Sequence, residues 1–124
     1  MRGALLGIQK RVVPERVRFK IPIKNDLNDR LQSFWTSIFG DSPDIEPAVF
    51  LGNEVEFNTS FLYLIEENEE PISTTVVTSC NLLPELGGFG EVATVPSSRG
   101  IGLATTLCRQ SVEDFTLAGG KALF

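Results

Sequence analysis

The sequence predicts an α/β chain, on three observations. Val17 to Ile23 alternates apolar and polar residues, as a half-buried strand does. Leu27 to Ile38 carries apolar residues at helical steps, and Glu91 to Ala104 runs from a strand through a glycine-bearing turn into a helix start.

At 124 residues there is room for one domain, and 42% hydrophobic content with a net charge of -5 is ordinary for a globular core. The acidic balance excludes a sequence-independent nucleic-acid binder, which needs Lys and Arg to neutralise phosphates. There is no histidine, and Cys80 and Cys108 are far apart, so the usual zinc sites, redox pairs and Ser or Cys triads are absent; both cysteines read as buried, reduced thiols. The apolar start Ala4 to Ile8 is interrupted by Lys10 and Arg11, too short for a signal segment or a membrane span, which points to a cytoplasmic location.

Residues 1–15, with mixed charge and Pro14, read as a loosely ordered arm before a single domain over 16–124. In the first strand, Val17, Phe19, Ile21 and Ile23 share one side and Arg18, Lys20 and Pro22 the other, with proline suited to an edge or a strand end. Asn25 or Asp26 then caps a helix whose stripe of Leu27, Leu31, Phe34, Trp35 and Ile38 faces the core and which ends at Gly40. Asp41 to Pro47 is turn-rich. Ala48 to Phe57 fits a short helix or a strand, and is taken as a short helix.

Phe61 to Ile65 is a strand. The acidic run Glu66 to Glu70 forms a solvated hairpin tip, and a second strand follows over Ile72 to Cys80. The connection Asn81 to Gly88 leads into the strand Phe89 to Val95, where Gly87, Gly88 and Gly90 permit a bulge or a close backbone approach. After the glycine turn, Ile101, Ala104, Cys108, Ser111, Val112 and Phe115 mark one helix face, and Gly119 and Gly120 close the helix. Lys121 to Phe124 reads as the start of a further strand.

A strand, a glycine turn and a helix N-terminus together aim backbone N–H groups at a phosphate. The helix start carries no acidic side chain to repel one. No Gly-Lys-Ser/Thr follows, which excludes a P-loop, and the three-glycine dinucleotide spacing is absent. What the residues do make is Arg-x-x-Gly-x-Ala, from Arg99, Gly102 and Ala104, preceded by Thr94, Val95 and Pro96.

This motif resembles the acetyl-CoA loop of the GNAT-superfamily N-acetyltransferases, Gln/Arg-x-x-Gly-x-Gly/Ala, and the element order over Val17 to Phe124 is similar to theirs. The resemblance implies a mixed, mostly antiparallel sheet flanked by helices, and acetyl-CoA as co-substrate. It implies that backbone N–H groups around Gly100, Ile101, Gly102, Leu103 and Ala104 bind the pyrophosphate, with a hydroxyl from Thr105. A side chain at Gly100 or Gly102 would hold the phosphates off these donors. Arg99 is either a cation near the diphosphate or a brace for the turn. By position, Val92, Ala93 and Thr94 would present backbone groups to the pantetheine arm and thioester.

The reaction implied is direct attack of a small-molecule or peptide amine on the thioester, with a base to take the amine's proton. Glu91 is the candidate base, or else an exposed strand-end carboxylate; Glu85 is a weaker candidate. Tyr63 is read as packing or substrate-side lining rather than as the general acid, which the family carries in a later helix. The resemblance therefore also implies a domain lacking its last strands, with apolar surface left for aggregation or association, a homodimer included. A non-catalytic CoA-binding or interaction module, or an inactive fragment, is the alternative, and no motif specifies the amine.

Overall fold

The computed structural model describes residues 15–41 and 47–124. The expected arm, apart from Glu15, and most of the turn-rich segment before Pro47 lie outside the described residues. Five strands form one sheet in the order β1 (Glu15–Lys20), β2 (Asn58–Glu67), β3 (Glu70–Cys80), β4 (Leu86–Thr94) and β5 (Ala122–Leu123). The first four pair antiparallel with their neighbours, and β5 runs parallel to β4. Helices α1 (Asn25–Phe39) and α2 (Pro47–Phe50) join one core cluster with the sheet, and α3 (Leu103–Leu117) joins the other.

The two clusters divide β2 between them. Leu62 and Leu64 pack with Leu31, Trp35 and Phe50, whereas Tyr63 and Ile65 pack with Leu107. Successive residues of a strand face opposite ways, so a strand covered on both sides reads as an unbroken apolar run, which is how Phe61 to Ile65 reads. Among the described residues no helix is long and apolar enough to cross a membrane.

Several local expectations are corrected. β1 ends at Lys20, not Ile23, because Pro22 has no N–H to continue the ladder; Ile21 and Ile23 stay buried and donate to Ser60 O and Phe50 O, at 3.0 and 2.9 Å. The N-cap of α1 is Lys24, whose carbonyl accepts the first helical bond from Asn28 N–H at 3.0 Å, so Asn25 and Asp26 lie inside the helix and cap nothing. Helix α2 is a single turn to Phe50, followed by turns to Phe57. Cys80 is exposed and Cys108 only half-buried, and both are free thiols.

The hairpin tip is tighter than the whole acidic run. Glu67 pairs with Glu70, leaving Asn68 and Glu69 as a two-residue turn with φ of 53° and 64°, the signs a type I′ turn needs. On α3 the expected face holds at Ser111, Phe115 and Cys108, whose Sγ lies 3.5 Å from Thr75 Oγ1, but not at Ile101 or Val112. The helix begins after Gly102 rather than near Ile101, and Leu103, Leu107, Ser111 and Phe115 face the sheet, while Ile101 is 73% exposed and Val112 is exposed.

Candidate functional site

The site grows from a break in β4. Thr74 pairs with Ala93 but Val76 pairs with Gly90, so Thr75 alone stands opposite Glu91 and Val92: a β-bulge, with Glu91 at φ 45°. A non-glycine residue in that region needs support. It comes from the core: Trp35 Nε1–H donates to Thr74 Oγ1 at 2.9 Å, and the Thr74 hydroxyl donates to Glu91 O at 2.7 Å. Trp35 and Thr74 are both 0% exposed, so the Trp35–Thr74 bond runs where water cannot substitute, and the Thr74–Glu91 bond extends from it into a part-buried position.

Beyond the bulge, β4 ends at Thr94 and a 3-10 turn at Pro96–Ser98 reverses the chain. Arg99 Nε donates to Thr94 O at 2.9 Å across that turn, and Arg99 also lines the cleft described next. Gly100 and Gly102 hold φ of 86° and 82°, which β-carbon-bearing residues avoid. A Cβ built on either meets nothing within 4 Å, so the turn's outer face is open to an approaching group.

Gly102 is also the N-cap of α3. The first helical bond runs from Thr106 N–H to Gly102 O at 2.9 Å, which leaves the N–H groups of Leu103, Ala104 and Thr105 without helical partners. Their dipoles and the end of the helix favour an anion.

These groups border an open cleft of about 580 Å³. It brings together Val92, Ala93, Thr94, Arg99, Gly100, Gly102, Leu103, Ala104 and Thr105; of the residues expected to hold the cofactor, only Ile101 is not in the lining. Arg99 carries the lining's only formal charge, so the cleft is locally cationic in an acidic chain. Ser98 and, from the end of α1, Ile38 and Phe39 complete it. Ile38 was missed because it continues a core stripe; the available signal was a third aromatic on α1, Phe39, lying off that stripe beside Gly40 and exposed.

The expected acid–base residues are scattered. Glu91 is half-buried, burial raises its carboxyl above the usual carboxylate range, and it lies next to the lining residue Val92 without lining the cleft itself. Glu85 serves through its carbonyl, which accepts Lys121 N–H at 2.7 Å and so anchors β5. Tyr63 packs with Leu107 on the opposite side of the sheet, and its hydroxyl donates to Asp114 Oδ2 at 2.9 Å. Burial first, and then Asp114, push its phenol up to about 12.

No protein-family model matches the sequence, and no curated protein matches it either. Solved structures do match. A protein from Clostridium acetobutylicum described as a predicted acetyltransferase, solved with acetyl-CoA, is 18% identical, with 89% of this chain and 79% of that chain covered at a TM-score of 0.62. An aminoglycoside acetyltransferase from an uncultured soil metagenomic sample, solved with trehalose, is 9% identical over 89% of this chain and 74% of that one, at a TM-score of 0.66. An acetyltransferase of the GNAT family from Staphylococcus aureus is 13% identical over 82% and 68%, at 0.58. At these identities the likeness is one of fold: this chain has the fold of the GNAT acetyltransferases.

Proposed function

We propose that this chain binds acetyl-CoA in the cleft at the N-terminus of α3 and transfers its acetyl group to an amine. One observation carries the reading: unpartnered backbone N–H groups, two open positive-φ glycines and a guanidinium converge on a cleft without an acidic lining residue. A diphosphate satisfies that donor set, and the residues present fit it without rearrangement. The Clostridium neighbour, solved with acetyl-CoA, supports the ligand, and the aminoglycoside acetyltransferase supports a small amine-bearing acceptor.

In this reading Leu103, Ala104 and Thr105 donate backbone N–H groups to the pyrophosphate, and Gly100 and Gly102 allow it close. Arg99 adds charge while holding the turn to Thr94 O. Val92 to Thr94 have no β5 partner among the described residues, since β5 pairs with Leu86 and Gly87, so the backbone groups there that point away from β3, apart from Thr94 O on Arg99 Nε, remain for the pantetheine arm. Acetyl-CoA supplies an activated thioester. Glu91, its carboxyl raised by burial, takes the proton an attacking amine must lose, directly or through water.

Titration calorimetry with acetyl-CoA tests binding: the parent chain gives a saturable heat, and Gly102→Glu, which sets a carboxylate at the mouth of the donor set, abolishes it. No binding by a folded parent chain overturns the proposal. Thiol release across a panel of primary amines then tests transfer; binding without thiol release assigns the chain to CoA-binding modules instead.

A further inference from the structure

On the α3 side of the sheet, away from the cofactor cleft, a cavity of about 310 Å³ lies beneath the C-terminal half of α3, over the start of β2 and the end of β3. The two sites take opposite ends of one helix. Phe61, Val77 and Phe115 give the cavity apolar walls. The Phe115 wall is held by close backbone approaches: a Cβ at Gly87 would lie 3.1 Å from Phe115 Cε1 and 2.9 Å from Leu123 Cδ2, and one at Gly120 would collide with the same ring. A mostly apolar cavity with a few convergent polar groups is the usual form of a small-molecule site.

Besides the hydroxyls of Thr59, Ser79 and Ser111, the polar groups are Arg18, Tyr63 and Asp114, three residues far apart in sequence. Asp114 Oδ2 accepts the Tyr63 hydroxyl at 2.9 Å and lies 3.3 Å from Arg18 Nη1. The Arg18 guanidinium carbon sits 4.6 Å from the centroid of the Phe61 ring. Asp114 thus has two donors, and the Tyr63 proton is committed to it. With its phenol pushed up to about 12, Tyr63 stays neutral and adds no second negative charge. Arg18 has five N–H donors; Nη1 is engaged by Asp114 and the guanidinium also faces the Tyr63 hydroxyl, which leaves only part of its fork unspent. The Arg18–Asp114 pair is neutral overall, so what is left over is the guanidinium's remaining N–H donors, next to apolar and aromatic walls.

We propose that this cavity binds a small monocarboxylate with an aromatic or branched apolar body, its carboxylate on Arg18 and its body against Phe61, Val77 and Phe115. The ligand is separate from the acetyl donor, and its binding does not depend on the acetyl-transfer reading. Arg18 recognises the carboxylate through charge-assisted hydrogen bonds, and the cavity's volume limits the body to roughly a single ring or a branched chain.

Phenylacetate is the probe, titrated into the ¹⁵N-labelled full chain and followed by amide shifts. Saturable shifts at Phe61, Val77 and Phe115 in the millimolar range are expected, with phenylacetamide, of the same shape but uncharged, weaker by about tenfold. Arg18→Met, at a side chain 45% exposed, should weaken phenylacetate by a similar factor. Ala118→Leu, which fills the mouth from the exposed end of α3, should abolish the shifts while leaving the circular dichroism of the chain unchanged. Equal binding of phenylacetate and phenylacetamide overturns the proposal, as does equal binding to the parent chain and folded Arg18→Met. So does an absence of saturable shifts, or shifts confined to Val92 to Thr105. The comparison of the two probes on the parent chain decides the matter even where a variant fails to fold.

Discussion

Thr74→Val removes one hydroxyl and almost no volume, yet it is expected to be among the most damaging conservative changes in the molecule. Thr74 Oγ1 accepts Trp35 Nε1–H at 2.9 Å and donates to Glu91 O at 2.7 Å. With Trp35 and Thr74 both fully buried, valine leaves an indole N–H and a bulge carbonyl without partners. The fully buried indole costs about 1–3 kcal/mol as an orphan and the part-buried Glu91 carbonyl about 1 kcal/mol, so the loss should be about 2–4 kcal/mol, out of the 5–15 kcal/mol typical of a whole domain. For a domain of this size that is a fall in Tm of roughly 10 °C. Urea unfolding followed by Trp35 fluorescence reads the stability directly, since the chain has a single tryptophan. Thr74→Ser keeps the hydroxyl and should lose only about 1 kcal/mol for the methyl. The bulge also sets Val92 to Thr94 along the cleft, so where acetyl-CoA binding is observed Thr74→Val should weaken it as well, measured well below its Tm. If Thr74→Val costs less than about 0.5 kcal/mol, no more than an ordinary surface change, the hydrogen-bond chain is not what holds the bulge.

Other outcomes follow from the same geometry. Tyr63 is the only tyrosine, so phenolate absorbance reports it alone; the native chain should titrate near 12 and the unfolded chain near 10, and a native midpoint near 10 would contradict the buried Asp114 contact. Because the folded value is the higher one, this contribution to stability is complete below the unfolded pKa and is lost as pH rises from 10 through 12. Glu91 is also raised, by burial, so its ionised form opposes folding: Glu91→Gln should unfold at a higher urea midpoint than the parent at neutral pH, with the difference disappearing as pH falls below the usual carboxylate range. Where acetyl transfer is observed, the same variant should also remove the acidic limb of the pH–rate profile. Gly102→Ala, at φ 82°, should cost about 1–2 kcal/mol in urea unfolding through backbone strain, since its Cβ meets no neighbour.

The elements were legible where one physical signal dominated. Alternation from Val17, the apolar stripe of Leu27 to Ile38 and the glycine turn before α3 each come from a local pattern that survives tertiary context. Boundaries failed where backbone hydrogen bonding decided them: the missing N–H of Pro22 ended β1 early, and the Lys24 carbonyl, not the Asn25 side chain, began α1. The face of α3 was read correctly at Cys108, Ser111 and Phe115 and failed at Ile101, which stands before the left-handed Gly102 cap and so outside the helix. In the cleft, the residues expected near the cofactor are consecutive or nearly so, and a local motif was enough to gather them. Ile38 and Phe39 reach it only through the packing of α1 on the sheet, and Arg18, Tyr63 and Asp114 meet only because β1 and β2 pair under α3. No spacing in the chain encodes either meeting.

The bulge at Glu91 joins the core to the turn. Its carbonyl is tied to α1 through Thr74 and Trp35, and three residues further on the Thr94 carbonyl is tied to Arg99. Between these anchors lie the residues that border the cleft, so the position of the glycine turn is set from the core side and from the solvent side at once. The solvent-side bond, to the exposed Arg99, competes with water and is individually weak, whereas the Trp35–Thr74 bond on the core side has no substitute. The precision of the cleft therefore depends more on Trp35, which does not line it, than on Arg99, which does.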